Sequence, residues 1–89
     1  MNSFRFSSTP IDAAPLRAEL QHASCGGFVT FEGWVRDHNE GQAVHRLEYE
    51  ASEQRGVAEG EKVIAEARAR FGVERALCVH RVGDLALGE

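Results

Sequence analysis

The sequence predicts an α+β fold in which two helices cover one side of a mostly antiparallel sheet. Alternating apolar and polar residues are typical of half-buried strands, and they are clearest at residues 28–36 and 44–51. The apolar spacing becomes helical after Asp12 and again at residues 56–71. The resulting order is strand, helix, strand, strand, helix, strand, which indicates the α+β class. The 89 residues suffice for one domain with a small core.

The first strand and the first helix are predicted in the first 27 residues. In the run "SFRFSS", two phenylalanines alternate with polar residues, which favours a short half-buried strand. The helix is expected to begin after Asp12, because this side chain can accept a hydrogen bond from the first helical turn. Leu16 and Leu20 would lie on its buried side. Gly26 and Gly27 are expected to end the helix, because glycine adopts the backbone conformations that terminate helices.

The segment "FVTFEGWVR" at residues 28–36 is the clearest predicted strand. A turn over 37–42 would connect it to the strand at 44–51 in an antiparallel hairpin. Alternation predicts two faces for the first strand, with Val29, Phe31 and Val35 on one and Thr30, Glu32, Trp34 and Arg36 on the other.

The second half of the chain predicts a long helix and an interior strand. The helix spans residues 56–71 and should end at Gly72. Residues 75–83 are apolar on both faces, which is typical of a strand inside a sheet. The final "GDLALGE" starts as an approach to a turn, where another strand would be expected. The apolar stripe of the helix consists of Val57, Ile64, Ala67 and Phe71.

Composition excludes several classes of function. The chain has 14 acidic and 10 basic residues, so it offers no positive field for nucleic acid. No apolar run approaches the ~20 residues of a membrane span, and no signal-like start is present. Cys25 and Cys78 are far apart in sequence and predict reduced thiols in a cytoplasmic protein. Lys62 is the single lysine, so chemistry that needs a deprotonated amine has one candidate.

Most clusters of reactive residues favour structural roles. We predict no metal site and no cofactor, because the histidines lack metal-binding spacing. A nucleophilic pair of Cys78 and His80 is disfavoured, since side chains two apart on a strand lie about 7 Å apart and an apolar setting raises a thiol pKa. Core packing is the alternative that we favour for Cys78. The residues considered as metal ligands are His38, His45, His80, Asp37 and Glu48. The carboxylates considered as an acid-base set are Glu48, Glu50 and Glu53, but alternating glutamates on a strand are more typical of a solvated face.

Arg36 is the strongest candidate for binding a ligand. It closes the strand on the face that carries Trp34 and then enters a polar loop. Its guanidinium can form two parallel hydrogen bonds to a phosphate or carboxylate, and the indole offers a flat surface. A solvent-exposed arginine paired with Asp37 or Glu32 explains the same residues equally well. Spacing alone leaves both interpretations open.

Several separated segments resemble the large, catalytic subunit of molybdopterin synthase. They are "GGFVTFEGWVRDHNEGQAVHRLEYEA", a helix rich in glutamate and arginine, and "CVHRVGDLALGE". The family has a run of the form "TF.G.VR.HN.G..V..L.YE", then a helix, then "..HR.G.L..GE", in the same order and spacing. The resemblance covers nearly the whole chain and is firmest over residues 27–89.

This resemblance implies a fold of the α/β-hammerhead type and a homodimer that forms a heterotetramer with a small ubiquitin-like sulfur carrier. The carrier's thiocarboxylate would supply the sulfur that converts cyclic pyranopterin monophosphate to molybdopterin. The implied activity is therefore that of a sulfurtransferase in molybdenum cofactor biosynthesis. The substrate is a small planar anion, and the residues implied in binding it are Trp34, Val35 and Arg36, followed by His38 and Asn39.

The chain also departs from the family pattern. The family's second His-Arg pair and its two catalytic lysines follow the "GE" segment, so they would lie beyond Glu89 and the catalytic residues stay unknown. Lys62 matches a position in the surface helix, and Ser52 stands where the family often has tyrosine. We expect residues 1–89 to be a single domain of this family that ends before its catalytic segment. The alternative function is a non-catalytic dimerisation or carrier-binding module, and the coding sequence after Glu89 would discriminate the two.

Overall fold

A computed structural model describes residues 3–43, 46–49 and 53–89. It has two helices and six short strands in these ranges, which confirms the predicted α+β class. None of the described helices combines the length and the apolar character that crossing a bilayer requires. In chain order the elements are β1 (Phe4–Ser7), α1 (Ala13–Leu20), β2 (His38–Asn39), β3 (Gln42–Ala43), β4 (Arg46–Tyr49), α2 (Glu53–Phe71), β5 (Cys78–Arg81) and β6 (Gly83–Ala86).

The described strands form three pairs. β1 lies parallel to β5, with Phe4 opposite Cys78. β4 lies antiparallel to β6, with Leu47 opposite Leu85, and β2 lies antiparallel to β3. Two of these three pairs are antiparallel, as the sequence favours. β6 was not predicted as a strand, because the sequence analysis interpreted "GDLALGE" as the approach to a turn. In the structure the strand begins at Gly83, whose φ of 97° favours glycine.

The small core lies where α2 packs on β1. Two glycines of the helix, Gly56 and Gly60, face the rings of Phe6 and Phe4 so closely that a Cβ atom would lie 2.6 Å from a ring carbon in each case. The two rings meet edge to face with centroids 5.2 Å apart. The Phe4 N–H donates to Glu61 Oε1 at 2.8 Å. The spacing of four residues puts both glycines on one side of the helix, so it approaches the strand without a clash.

The buried residues agree with only part of the predicted helical stripe. Ile64 is buried, whereas Phe71 exposes 71% of its surface. Phe71 is the last residue of α2, and the residues after it turn away through Gly72, whose φ is 66°. The Gly72 N–H donates to the Arg68 carbonyl at 2.9 Å, which confirms the predicted end of the helix.

Helix α1 begins as predicted and ends earlier than predicted. The Asp12 carboxylate accepts a hydrogen bond from the Ala14 N–H at 3.1 Å. The helix ends at Leu20, because Gln21 adopts an extended backbone with φ −60° and ψ 129°. Termination at Gly26 and Gly27 is therefore wrong, since the backbone leaves the helix six residues before Gly26 without needing glycine.

Residues 28–36 are not a strand in the structure. They have no regular secondary structure, and Val29 and Phe31 expose 94% and 96% of their surface. A strand needs a neighbour that pairs with its backbone N–H and C=O groups, and β4 pairs with β6. The predicted hairpin between residues 28–36 and 44–51 is therefore wrong, and the strand pairing described around the turn is that of β2 with β3.

Residues 75–83 form a shorter strand that is not interior. β5 pairs with β1 among the described residues, and Cys78 and His80 are exposed. Core packing of Cys78 is therefore wrong, because the strand presents this side chain outward. Burial by neighbouring atoms still raises the pKa of the Cys78 thiol, as an apolar setting predicts. Several predictions fall on residues that lie outside the described ranges, namely Val44, His45, Glu50, Ala51 and Ser52.

Candidate functional site

A tight turn shapes the loop that follows Arg36. β2 and β3 are joined by two residues, Glu40 and Gly41, whose φ angles are 51° and 77°. Positive φ at both central positions is the geometry of a type I′ hairpin turn, which glycine adopts without strain. The turn pairs Asn39 with Gln42 and thereby fixes the backbone of the polar loop. This confirms the turn predicted from the loop's composition.

The structure brings some of the candidate ligand-binding residues together. Arg36 Nη2 donates to Asn39 Oδ1 at 2.8 Å. His38 Nδ1 lies 2.9 Å from Asp37 Oδ1, and the two side chains expose 65% and 79% of their surface. Arg36 is itself exposed. The guanidinium is thus oriented by an amide oxygen, and its remaining N–H groups face solvent where an anion can approach.

Trp34 does not pack on Arg36 within the single chain. The indole is 73% exposed, and no ring contact joins it to the guanidinium in the described part of the chain. Two shallow cavities of about 220 and 280 Å³ occur elsewhere on the surface. The first is lined by residues of β1 and the start of α1, and the second by residues around Cys25. Neither of these two cavities is lined by Trp34 or Arg36, and both of these residues are exposed.

The backbone of Val35, the residue before Arg36, is hydrogen-bonded to Gly88 and Glu89, which follow β6. The Val35 N–H donates to the Glu89 carbonyl at 2.7 Å, and the Gly88 N–H donates to the Val35 carbonyl at 2.8 Å. Val35 is partly buried, whereas its described neighbours from Thr30 to Asn39 are exposed. These two hydrogen bonds fix the backbone next to Arg36 and thereby restrict the position of the Arg36 Cα atom.

An ion pair in turn holds Glu89. Arg81 Nη2 lies 3.4 Å from Glu89 Oε2, with side-chain exposures of 12% and 21%. Glu89 Oε2 also accepts from the Ala86 N–H at 2.9 Å. The sequence alone did not identify this pair, since the eight-residue separation matches no helical or strand period. The segments "HR" and "GE" of the resemblance carried the signal.

The described part of the chain does not group three His, Cys, Asp or Glu side chains so that they could hold a metal ion. His45 and Glu50 lie outside the described residues, so the full candidate sets are not seen. His80 Nδ1 lies 2.8 Å from the Arg81 carbonyl. The sequence predicts His80 as a hydrogen-bonded histidine inside the sheet; the hydrogen bond is present, but the residue is exposed.

Comparison with known proteins identifies relatives over the whole chain. The molybdopterin synthase catalytic subunit of Pyrococcus abyssi is 43% identical over 72 residues, which cover 81% of this chain and 49% of that protein. The Bacillus subtilis protein of the same name is 33% identical over 89 residues, covering 100% of this chain and 57% of that protein. Catalytic subunit 1 of Mycobacterium tuberculosis is 32% identical over 85 residues, covering 96% and 58%.

The chain thus spans about half the length of the curated relatives it matches. The family model described as MoaE protein matches residues 6–89, which include Arg36, the turn after it and the ion pair of Arg81 with Glu89. Because this match covers nearly every residue, the chain belongs to the MoaE protein family.

Proposed function

We propose that this protein acts in the cytoplasm as the catalytic subunit of molybdopterin synthase. It would convert cyclic pyranopterin monophosphate to molybdopterin by transferring sulfur from a thiocarboxylated small carrier subunit. The observation that carries this proposal is the family match over residues 6–89, together with relatives that bear the name of this enzyme. The activity and the partners are proposed from relatives of which this chain matches 49% and 57% of the length.

Within residues 1–89, the assigned task is to bind the substrate. Arg36 would hold the cyclic phosphate, because a guanidinium stays protonated and offers several N–H donors to anionic oxygens. Asn39 supports this role by holding one Arg36 nitrogen at 2.8 Å. Val35 supplies the anchored backbone and Trp34 a flat apolar surface for the pterin. His38 lies in the hairpin that follows Arg36 and is proposed as a further substrate contact.

The sulfur-transfer chemistry itself requires a group that Arg36 cannot provide. Attack on or activation of a thiocarboxylate carbonyl suits an amine whose pKa is lowered by burial or by nearby cations. The one lysine in the sequence, Lys62, is exposed on α2. We therefore assign binding and charge stabilisation to Arg36, and the amine chemistry to the lysines that the family carries after its "GE" segment.

The exposed apolar residues before Arg36 support an assembled enzyme. Val29, Phe31 and Trp34 expose 94%, 96% and 73% of their surface in the single chain. Neighbouring exposed apolar side chains are typical of protein interfaces. We propose that a second copy of the chain covers this segment in a homodimer. Two carrier subunits would complete the heterotetramer.

The test is an activity assay with a matched variant. The full-length protein is mixed with the thiocarboxylated carrier and the pterin precursor, and the dithiolene product is quantified. Arg36→Ala should weaken precursor binding by about 1.5 to 3 kcal/mol, the range for a hydrogen bond to a charged group. Arg70→Ala removes an exposed arginine from α2 and serves as the control. Carrier binding without any product, or unchanged precursor affinity in Arg36→Ala, would contradict the assignment.

A further inference from the structure

We infer that the ion pair between Arg81 and Glu89 positions Arg36 for substrate. This inference rests on the proposed role of Arg36 in binding the pterin phosphate. It assigns a positioning function to two residues of the segment "CVHRVGDLALGE", the arginine of "HR" and the glutamate of "GE". The contacts form a continuous path from the end of β5, through the turn after β6, to the residue that precedes Arg36.

The first step of the path is the anchoring of Glu89. Arg81 is largely buried, and its guanidinium contacts three oxygens: the Val82 carbonyl, the Asp84 carbonyl at 3.3 Å and Glu89 Oε2 at 3.4 Å. Its Nε is buried and has no hydrogen-bond partner in the described part of the chain. The charge of Glu89 is therefore the anionic contact that the structure describes for this guanidinium. Removing either partner leaves the other charge poorly compensated.

The second step is the turn that Glu89 closes. Its Oε2 accepts from the Ala86 N–H at 2.9 Å, and its own N–H donates to the Ala86 carbonyl at 3.3 Å. Gly88 lies inside this turn with a φ of 87°, a conformation that favours glycine. The turn follows β6 directly, and β6 contains Leu85, one of the two buried core residues among those described. Glu89 thus contacts the ends of two strands, β5 through Arg81 and β6 through Ala86.

The third step is the attachment of Val35, the residue before Arg36, to this turn. The turn holds Val35 through hydrogen bonds of 2.7 and 2.8 Å to Glu89 and Gly88. Residues 28–34 have no regular structure, so these two hydrogen bonds are the described backbone attachment of the segment that leads into Arg36. A side chain that must bind an anion loses less conformational entropy when its backbone is already fixed. The pair would therefore raise substrate affinity through Arg36 without touching substrate.

Two readouts test this positioning role in the full-length protein. The first is amide hydrogen exchange at Val35, which needs no ligand. Arg81→Met and Glu89→Ala should each speed this exchange at least about tenfold, because the hydrogen bond to Glu89 opens more often. The amide of Ile64 in α2 should be unaffected. Arg68→Met is the matched control, since Arg68 also donates to loop carbonyls, those of Val73 and Glu74, away from Val35.

The second readout is pterin binding in a double-mutant cycle. Glu89→Ala should raise the dissociation constant of the pterin precursor by about tenfold, and by less than about twofold when Arg36 is already alanine. A purely structural role predicts equal losses in both backgrounds, which would overturn the inference. Glu89→Gln, which keeps an acceptor for the Ala86 N–H, replaces Glu89→Ala if that variant does not fold.

The two readouts separate the possible failures. If the unaltered protein does not bind the pterin precursor, the proposed function fails, and Val35 exchange alone decides whether the ion pair orders the backbone before Arg36. If the pterin binds and Arg36→Ala weakens it, unchanged Val35 exchange in Arg81→Met and Glu89→Ala overturns the inference. Faster exchange at Val35 together with a non-additive cycle supports it.

Discussion

The packing of α2 on β1 predicts that adding one methyl group at Gly60 destabilises the protein. Glycine inside a helix ordinarily costs about 1 kcal/mol relative to alanine. A Gly60→Ala change would therefore be stabilising if space were available. The structure places the new Cβ within 2.6 Å of Phe4 Cδ1 and close to Cγ, so the methyl group and the ring cannot both keep their positions.

The size of the effect depends on how far the ring can move. The nearest atom is Phe4 Cγ, at the base of the side chain, and the Phe6 ring packs edge-on against Phe4 at 5.2 Å. Relief therefore requires β1 itself to shift, which belongs in the upper part of the roughly 1 to 3 kcal/mol range for overpacking. After the helical gain of about 1 kcal/mol is subtracted, Gly60→Ala should lower the free energy of unfolding by about 1 to 2 kcal/mol.

Gly56 provides the internal comparison. Its added Cβ would meet the far end of the Phe6 ring, which can rotate away at lower cost. Gly56→Ala should therefore change stability by less than about 1 kcal/mol, because the helical gain offsets most of the clash. Urea unfolding of both variants, and of Gly60→Ala combined with Phe4→Ala, measures the difference. A Gly60→Ala variant more stable than the unaltered protein would refute the packing argument.

Two further predictions concern the attachment of α1. Asp12→Ala should cost about 1 kcal/mol in urea unfolding, because the Ala14 N–H loses its capping acceptor, whereas Asp12→Asn should cost much less; equal losses would contradict the capping role. Arg5 Nη2 lies 2.5 Å from Glu19 Oε2, and this hydrogen bond lowers the pKa of the Glu19 carboxyl. The ion pair therefore stabilises the fold at a pH above the ordinary glutamate pKa. This contribution is lost as the pH falls through the lowered pKa of Glu19. Glu19→Gln should remove that part of the acid dependence of stability, and an unchanged acid profile would exclude it.

Local signals in the sequence predicted where α1 begins and where α2 ends. Asp12 at the start of α1 and Gly72 after α2 act through hydrogen bonds to residues at most four positions away. The sequence therefore contains both partners of each contact in one short window. The same holds for the two-residue turn at Glu40 and Gly41.

Contacts between segments that are distant in the chain could not be predicted from local sequence patterns. Gly56 and Gly60 look unfavourable in a helix, and their purpose is visible only once the phenylalanine rings of β1 lie against them. The pairing of β4 with β6 rather than with residues 28–36 is likewise a choice between distant segments that alternation cannot make. Arg36 was predicted as the binding residue, but the support from Arg81 and Glu89 through Val35 required coordinates.

Residues 28–36 show why a strong strand pattern can lack a strand. Alternation indicates that one face of a segment is buried, without indicating by what. In the isolated chain Phe31 is 96% exposed, and Val35 alone in this segment has described backbone hydrogen bonds to a distant part of the chain. An edge with free backbone groups and apolar side chains is suited to pairing with another chain. The proposed homodimer would satisfy these groups and place Trp34 and Arg36 on an ordered strand, with Val35 as its fixed end.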